Sequence, residues 1–278
     1  MALYLIGDVQ GCDHALGRLL NELAFSPSRD QLLLLGDVVN RGPHNVAVLQ
    51  RLMALDGAAQ ALLGNHDLHW LALAHGVGQP GKRDTLHDVL GHPQRTPMVE
   101  WMLQRPLALQ THGWLCVHAG VFPQWSEAQT LALAHEVQQV LADPAQRAAF
   151  FQGMYANHPD RWSLDLTGVA RWRAIVNALT RMRLCTTDGV MDFTIKEDAA
   201  QAPANLMPWF DVPGRATAQT PIAFGHWSTL RGAQRNNLLP LDTGCVWGGS
   251  LSAAELFANG AAPRWHQVPC DAAQNPNG

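Results

Sequence analysis

Four short apolar runs in this chain each end directly in a cluster of glycine and polar residues. They are Leu3 to Ile6 before Gly7-Asp8, Leu32 to Leu35 before Gly36-Asp37, residues 61–63 before Gly64-Asn65-His66-Asp67, and residues 115–117 before His118-Ala119-Gly120. Runs this short and this apolar are typical of strands that are buried on both faces of a sheet. This repetition is the strongest constraint that the sequence places on the fold.

Helical patterns separate the first apolar runs. Apolar residues recur at helical spacing from Ala15 to Leu23 and again from Val46 to Met53. The alternation of strands and helices predicts an α/β fold with a mostly parallel sheet and helices on its faces. Since ligands of such sheets bind beyond the carboxyl ends of the strands, we expect the polar clusters to meet at one edge.

The composition of the chain changes near residue 126. The stretch 126–220 is rich in Ala, Gln and Arg with helical periodicity and is interrupted by prolines, which predicts an inserted helical cap. Strand patterns return at Ile222 to Phe224. We therefore expect a core of residues 1–125 and 221–270, the inserted cap, and a polar, disordered tail of residues 271–278.

Composition and charge argue against several classes of protein. Hydrophobic residues make up 47% of the 278 residues and the net charge is −4, unlike the basic field of a general nucleic-acid binder. The first residues contain neither a basic leader nor a long apolar run, so we expect no membrane anchor. The five scattered cysteines argue against a disulfide framework and favour a reducing compartment, which predicts a cytoplasmic protein. No sequence feature indicates a stable protein partner.

The polar clusters contain the residue types that a hydrolytic site with two metal ions needs. Such a site uses oxygen and imidazole ligands, with one carboxylate between metals about 3.5–4 Å apart that share an activated water. The candidates are Asp8, Gln10, Asp37, Asn65, His66, His118 and His226. A lone buried histidine or Gly-Asp turn is most often structural, but their recurrence at strand ends favours a metal site.

The same clusters carry a resemblance to a known family. GDVQG, GDVVNRG, GNHD, VHAG and FGHW resemble the motifs of the calcineurin-like metallophosphoesterases, in the branch that includes the phosphoprotein phosphatases. The resemblance implies two divalent metal ions. The implied ligands are Asp8 and Gln10 for the first ion, Asp37 as the bridge, and Asn65, His118 and His226 for the second. It further implies that His66 protonates the leaving group and that Arg41 contacts the phosphoryl oxygens.

Longer runs narrow the resemblance to one branch. YLIGDVQGC, LLGNHDLH, NALTRMRLC, AFGHW and LDTGCVWGG are similar to the symmetrical bis(5'-nucleosyl)-tetraphosphatases, and the likeness extends over nearly the full chain. It implies an α/β (α+β sandwich) fold, with a core of two packed β-sheets flanked by helices and an inserted helical cap. The implied enzyme is a hydrolase of nucleotide metabolism that acts on phosphorus-containing acid anhydrides.

The same resemblance implies the reaction. A metal-activated hydroxide cuts diadenosine tetraphosphate and related dinucleoside polyphosphates at the centre, giving two ADP from the former. Mn²⁺ is the expected metal, with Co²⁺ or Mg²⁺ as alternatives. Nucleotide-capped RNA 5' ends are an open second substrate.

Residues outside the metal clusters are candidates for substrate binding. Arg181 and Arg183 lie two apart in TRMR, and guanidinium groups bind phosphate in a bidentate fashion. The sequence does not choose between these two arginines, and a solvated pair at the surface is the alternative. Trp247 and Tyr155 are candidates for stacking on a nucleobase.

Two positions depart from the wider family. Gln10 stands where a metal-binding histidine is usual, and an amide oxygen is a weaker ligand that favours hard ions. Asn40 stands where phosphoprotein phosphatases usually have an aspartate that orients the catalytic histidine. We expect Asp67, or a backbone carbonyl, to take over this role, and so count Asp67 among the catalytic residues.

Two other functions stay open at this point. A metal-dependent serine/threonine phosphoprotein phosphatase has the same core motifs, and the TRMR and LDTGCVWGG runs argue against it. A catalytically impaired nucleotide-binding protein is the alternative that Gln10 suggests. The full set of ligand candidates argues against that alternative.

Overall fold

The computed structural model describes residues 2–195, 202–230 and 237–275. The helices are α1 (Asp13–Glu22), α2 (Asn45–Ala54), α3 (Asn65–Ala74), α4 (His87–Leu90), α5 (Arg95–Leu103), α6 (Glu127–Ala142), α7 (Pro144–Gly153) and α8 (Gly168–Arg181). The strands are β1 (Leu3–Ile6), β2 (Gln31–Leu34), β3 (Ala59–Ala61), β4 (Ala108–Thr111), β5 (Trp114–Val117), β6 (Leu184–Cys185), β7 (Met191–Asp192), β8 (Met207–Pro208), β9 (Ile222–Phe224), β10 (Leu238–Pro240), β11 (Ser250–Leu256) and β12 (Arg264–Pro269).

The core strands form two sheets. The first has the order β12-β11-β1-β2-β3, in which β1, β2 and β3 are parallel and β11 and β12 are antiparallel additions. The second has the order β10-β9-β5-β4, in which β10, β9 and β5 are parallel and β4 is antiparallel. The α/β class with two packed sheets is confirmed. The single parallel sheet that the strand order predicts is wrong in one respect, because β5 pairs with β9 and not with the first three strands.

The two sheets face each other through alternate residues of their strands. Leu3 and Leu5 of β1 belong to the same apolar cluster as Cys116 of β5 and Ala223 of β9. Successive side chains of a strand point to opposite faces, so the intervening residues, such as Ile6, pack outward among the helices. Burial on both faces explains why these strands read as continuous apolar runs.

Residues 126–220 form helices followed by a small sheet. Helix α6 is capped by Ser126, whose side chain accepts the Gln129 N–H at 3.2 Å, and α7 is capped by Asp143, whose carboxylate accepts the Ala145 N–H at 2.9 Å. Strands β6, β7 and β8 then pair in the order β7-β6-β8, so the described part of this stretch is not wholly helical. Residues 196–201 of the predicted cap lie outside the described residues.

The end of α8 is tied to the core. The N–H groups of Ala119 and Gly120 donate to the carbonyls of Leu179 and Ala178, at 2.7 and 3.1 Å. This contact joins the last turn of α8 to the loop that follows β5. The segment that carries Arg181 is therefore held against the carboxyl end of the second sheet.

One pair of cysteines is linked. Cys245 and Cys270 form a disulfide, although they lie 25 residues apart. The sequence argues against a disulfide framework, and this pair departs from that expectation because antiparallel β11 and β12 return the chain and bring the two Cα atoms to 5.2 Å. Cys12, Cys116 and Cys185 are free and buried.

The last described residues, 271–275, lie against the loop before β11. The N–H groups of Ala273 and Gln274 donate to the Val246 carbonyl, at 2.9 and 3.2 Å. Residues 276–278 of the predicted tail lie outside the described residues. None of the helices within the described ranges combines the length and apolar character that crossing a membrane requires.

Candidate active site

Strands of both sheets deliver polar residues to the same end of the core. Asp8 follows β1, Asp37 follows β2 and Asn65 opens α3 after β3; His118 and His226 follow β5 and β9. The predicted convergence at carboxyl ends occurs, but it joins the edges of two sheets. Together with Gln10, Arg41, His66, Arg181, Arg183 and Trp247, most of these residues line one cavity of about 1370 Å³. Buried His118 lies behind its wall.

Three side chains form the centre of the predicted second metal site. One ligand atom each from Asp37, His118 and His226 lies within 4.8 Å of the others. His118 Nδ1 lies 2.8 Å from the Leu35 carbonyl and His226 Nε2 lies 3.2 Å from the Arg181 carbonyl. Since a carbonyl only accepts, these nitrogens carry the protons, which leaves His118 Nε2 and His226 Nδ1 unprotonated in the neutral rings.

Two buried atoms at this centre lack the partners that buried polar atoms need. Among the described residues, Asn65 Oδ1 and His118 Nε2 are inaccessible to solvent and have no hydrogen-bond partner. An unpaired buried polar atom costs about 1–3 kcal/mol, so such atoms call for an explanation. A divalent ion bound by both atoms removes this cost, and the residues present therefore fit the predicted metal site.

The first metal site is predicted around Asp8 and Gln10. Asp8 is 3% exposed and accepts the His226 N–H at 3.0 Å. This hydrogen bond joins a ligand candidate of the first predicted metal site to one of the second. Gln10 donates its N–H to the Asp37 carbonyl at 2.8 Å. Asp242, which follows β10, is a further buried carboxylate of the cavity wall.

Burial and neighbouring charges shift the titration of these groups. Burial opposes ionisation of Asp37, but the charges of His118 and His66 overcome it and lower its pKa to about 2. Burial opposes protonation of His118, yet Asp37 and Asp8 raise its pKa to about 10. Burial and the charge of Asp242 raise the pKa of Asp8 well above its usual value. The crowded carboxylates therefore favour positive charge between them, which divalent ions supply.

The backbone is strained where the chemistry is predicted. Gln10, Asp37, Asn40, Arg41 and His226 adopt φ angles of 46°, 49°, 78°, 67° and 63°. Side chains other than glycine rarely occupy this left-handed region, and such residues collect at functional sites. Four of these five residues, all except Asn40, line the shared cavity.

Asn40, and not Asp67, contacts the ring of His66. Asn40 Nδ2 lies 3.0 Å from His66 Nδ1. The carboxylate of Asp67 instead accepts the backbone N–H groups of Val38 at 2.9 Å and Gly64 at 2.8 Å. The orienting role predicted for Asp67 is therefore wrong: its carboxylate holds together the two loops that carry Asp37 and Asn65. Burial and the charge of Asp37 raise the pKa of Asp67 to about 7.

The two TRMR arginines have different surroundings. Arg183 donates to the His226 carbonyl at 2.9 Å, and within the described residues its Nε has no hydrogen-bond partner. Burial lowers the pKa of Arg183, while Asp242 and Asp8 partly offset this effect. Arg181 is occupied by Asn177 and Asn157, at 2.8 and 2.9 Å. Of the two, Arg183 is therefore the arginine that is bonded directly to the backbone of a metal-ligand candidate, His226.

Aromatic rings stand beside cationic groups in two parts of the cavity. Arg181 lies over the ring of Phe193 at 4.4 Å, and Arg83 lies over Trp247 at 5.1 Å. Tyr155, the other predicted stacking residue, is not among the residues that line this cavity, and its hydroxyl lies 2.7 Å from His69 Nδ1, where it links the cap to the core. Phe193 and Arg83 form pairs that sequence reasoning did not assign.

Two functional candidates were missed in the sequence. Asp242 lies directly after a strand, as Asp8 and Asp37 do, and this position in LDTGCVWGG was a usable signal. Asp84 contacts Asn40 Nδ2 at 2.9 Å and His69 Nε2 at 2.8 Å. Asp84 lies in a loop without a strand-end pattern, so no local signal pointed to it.

Known proteins share both the sequence and the fold of this chain. Residues 1–179 match the model of the calcineurin-like phosphoesterases. The chain is 54% identical over 280 residues to the symmetrical bis(5'-nucleosyl)-tetraphosphatase of Acidovorax ebreus (strain TPSY), covering 99% of each chain. It is 55% identical to the enzyme of the same name from Paracidovorax citrulli (strain AAC00-1), covering 99% of this chain and 100% of that one. A crystal structure provisionally assigned as a diadenosine tetraphosphatase has a TM-score of 0.62 at 24% identity, covering 97% of this chain and 94% of that chain.

Proposed function

The chain belongs to the calcineurin-like phosphoesterases and, among them, to the symmetrical bis(5'-nucleosyl)-tetraphosphatases, and we propose that it hydrolyses diadenosine tetraphosphate to two ADP. One observation carries the proposal: five of the six ligand candidates, four arginines and the rings of Phe193 and Trp247 line a single cavity of about 1370 Å³. Ligand pockets for drug-sized molecules are about 300–1,000 Å³, so the cavity has room for a larger substrate.

Two divalent ions, when bound, would supply Lewis acidity and would make hydroxide available from water near neutral pH. Asp8 and Gln10 are the proposed ligands of the first ion, and Asp37 is proposed to be a ligand of both ions. Asn65, His118 and His226 are the proposed ligands of the second ion. The oxygen-rich first set favours hard ions, so Mn²⁺ is the proposed metal, with Co²⁺ and Mg²⁺ as alternatives.

Arginines neutralise the polyphosphate. Arg183 lines the cavity close to Asp242 and Asp8 and is the proposed partner of the phosphoryl group under attack. Arg41 lines the same cavity and lies 3.8 Å from Asp84, which anchors its guanidinium group. Arg181 is the proposed partner of an outer phosphate, because its guanidinium is already shared with two asparagines.

His66 is the proposed partner of the leaving oxygen. It lines the cavity, and its Nε2 lies 3.9 Å from Asp37 Oδ2. In the reaction, a water loses one proton to the solvent, and a bond forms between its oxygen and a central phosphorus. The bond from that phosphorus to the bridging oxygen breaks, and its electron pair leaves with the second ADP. His66 Nε2–H donates a hydrogen bond to the oxygen on which this negative charge develops.

The nucleosides need a binding surface on each side of the metal centre. Trp247 with Arg83, and Phe193 with Arg181, are the proposed surfaces for the two adenines. Stacking on aromatic rings tolerates different bases, so related dinucleoside polyphosphates are proposed substrates as well. Nucleotide-capped RNA 5' ends join two nucleosides through a polyphosphate and are a second substrate to test. The cytoplasmic location stays a prediction.

Product analysis tests the proposed function. Metal-stripped protein is incubated with diadenosine tetraphosphate, with and without Mn²⁺, Co²⁺ or Mg²⁺, and the nucleotides are separated by chromatography. The proposal expects ADP as the sole product, formed only with metal. ATP plus AMP would overturn the central cut. Absence of turnover with every metal, together with release of phosphate from a phosphopeptide, would favour a phosphoprotein phosphatase.

A further inference from the structure

The amide of Asn40 is fully buried and its orientation is defined by its partners. Asn40 Oδ1 accepts the N–H groups of Arg41 at 2.8 Å and Thr85 at 3.1 Å. Asn40 Nδ2 lies 2.9 Å from Asp84 Oδ1 and 3.0 Å from His66 Nδ1. Rotating the amide by half a turn would place its NH₂ group against two N–H donors and its oxygen against a carboxylate. Asn40 Nδ2 is therefore the donor to both Asp84 and His66.

The direction of this hydrogen bond limits what His66 can do. A ring nitrogen that accepts a hydrogen bond carries no proton, so the single ring proton of His66 is on Nε2. Nε2–H donates a hydrogen bond to a leaving oxygen. Complete transfer of that proton would leave an anionic ring with no proton on either nitrogen. The general acid predicted for His66 is therefore replaced by a hydrogen-bond donor.

Asp84 holds the Asn40 amide in place. Its other oxygen accepts from the Gly81 N–H at 2.6 Å and lies 2.8 Å from His69 Nε2. The carboxylate is almost completely buried and is fixed from two sides. A buried network in which every member is satisfied keeps one arrangement, so the hydrogen bond to His66 keeps its direction.

We propose that Asn40, held by Asp84, is a specificity-determining residue that restricts the site to leaving groups able to depart without a proton. This inference rests on the proposed function and deepens it. A departing nucleoside diphosphate leaves as a phosphate oxygen, whose second pKa is about 6. An alcohol, with a pKa close to the value of about 15.7 for water, departs only if it receives a proton. The site thus favours phosphoanhydrides over alkyl phosphoesters.

Aryl esters of ADP measure this restriction directly. In each, water adds to the β-phosphorus, the bond to the aryl oxygen breaks, and ADP and a phenol are released. The Mn²⁺-loaded protein is compared on a nitrophenol about as acidic as phosphate and on phenol, whose pKa is about 10. A positioned acid contributes about 100-fold or more, so we expect kcat/KM to fall by at least about 100-fold between these two esters. An equal rate on both esters would overturn the proposal.

A charge-conserving exchange inverts the hydrogen bond at His66. The double variant Asn40→Asp, Asp84→Asn keeps the number of carboxylates and amides but places an acceptor at His66 Nδ1. In this variant the ratio of kcat/KM between the two esters should fall by at least about tenfold, because His66 can then transfer a proton. Asp84→Asn alone is the matched control: it loosens the amide but leaves Asn40 Oδ1 with its two backbone donors, so the ratio of the two kcat/KM values should stay larger than in the double variant. An unchanged ratio in the double variant would refute the role of Asn40.

A spectroscopic readout does not depend on turnover. In metal-free protein with ¹⁵N-labelled histidine, the Nδ1 signal of His66 should be that of an unprotonated nitrogen. In the double variant it should become that of a protonated nitrogen. A protonated Nδ1 in the wild type would overturn the inference even if the double variant fails to fold. If the esters behave as expected but diadenosine tetraphosphate is not cut to ADP, the proposed function fails and the role of Asn40 stands.

Discussion

Gly64 lies directly behind the carboxylate that is predicted to bridge the metals, and Gly64→Ala should displace it. A Cβ built on Gly64 would overlap Oδ1 and the backbone nitrogen of Asp37 and lie 2.8 Å from its Cγ. Carbon atoms pack best at about 3.5–4.0 Å, so the carboxylate must move by roughly 0.7 Å or more. The displaced group is the one on which both predicted metal sites depend.

The size of the effect follows from this overlap. Overpacking a close-packed site costs about 1–3 kcal/mol of unfolding free energy. For a chain of this size, each kcal/mol lowers the melting temperature by about 2–4 °C, so a fall of about 2–12 °C is expected. Misplacement of a reacting group by about 1 Å costs about 100-fold in rate. We expect kcat with diadenosine tetraphosphate to fall by about that factor and the metal content to drop below two ions per chain.

Gly57→Ala is the matched control. The same methyl group added at Gly57 meets no described atom within 4 Å, and Gly57 has no positive φ. This variant should keep kcat and metal content and gain up to about 1 kcal/mol, because alanine restricts the unfolded chain. Calorimetry, metal analysis and steady-state kinetics are measured on both variants. If Gly64→Ala matches Gly57→Ala in all three, the close approach to the bridging carboxylate is not real.

Three other outcomes are expected. Gln10→His should tighten binding of the first metal by at least about tenfold, with the larger gain for Co²⁺ than for Mg²⁺; an unchanged Kd in metal titrations would exclude Gln10 as a ligand. Arg183→Ala should lower kcat/KM by about 100–1,000-fold, whereas Arg181→Ala should act mainly on KM; equal effects in steady-state kinetics would contradict their assigned positions. The hydrogen bond from Arg29 lowers the pKa of Asp30 to about 2. The contribution of the ionised Asp30 to the unfolding free energy is complete above its usual pKa near 4 and is lost as the pH falls through about 2. Asp30→Asn should therefore reduce the change of unfolding free energy with pH over that interval. An unchanged pH dependence of the unfolding free energy, measured by urea titrations, would refute this.

The Asn40 amide shows how the direction of one hydrogen bond bears on substrate choice. The His66 ring contacts the amide of Asn40 and not the expected carboxylate of Asp67, and Asp84 holds this amide. A hydrogen-bond donor is sufficient when the leaving group is a phosphate. The same arrangement hinders cleavage of a phosphoserine, and so argues against the phosphoprotein phosphatase alternative on chemical grounds.

The sequence by itself determined the ligand candidates and the end of the core where they meet. Asp8, Asp37 and Asn65 each follow an apolar run, and the run and the polar residue lie within a few residues of one another. A buried strand and the turn after it depend mainly on such local patterns, so they can be recognised without the rest of the fold. The α/β class with two sheets is also confirmed. The family resemblance implied it, and that resemblance rests on short local motifs.

Only the tertiary structure decided how distant segments meet. Asn40 and Asp84 lie 44 residues apart, and Cys245 and Cys270 are brought together by the pairing of β11 with β12. The same holds for the pairing of β5 with β9 and for the separate environments of Arg181 and Arg183. Contacts of this kind depend on how sheets, helices and loops pack, and residues far apart in the chain give no local signal of the partner they will find. The candidates for the reacting groups can therefore be identified from the sequence, whereas the partners that orient them are set by packing.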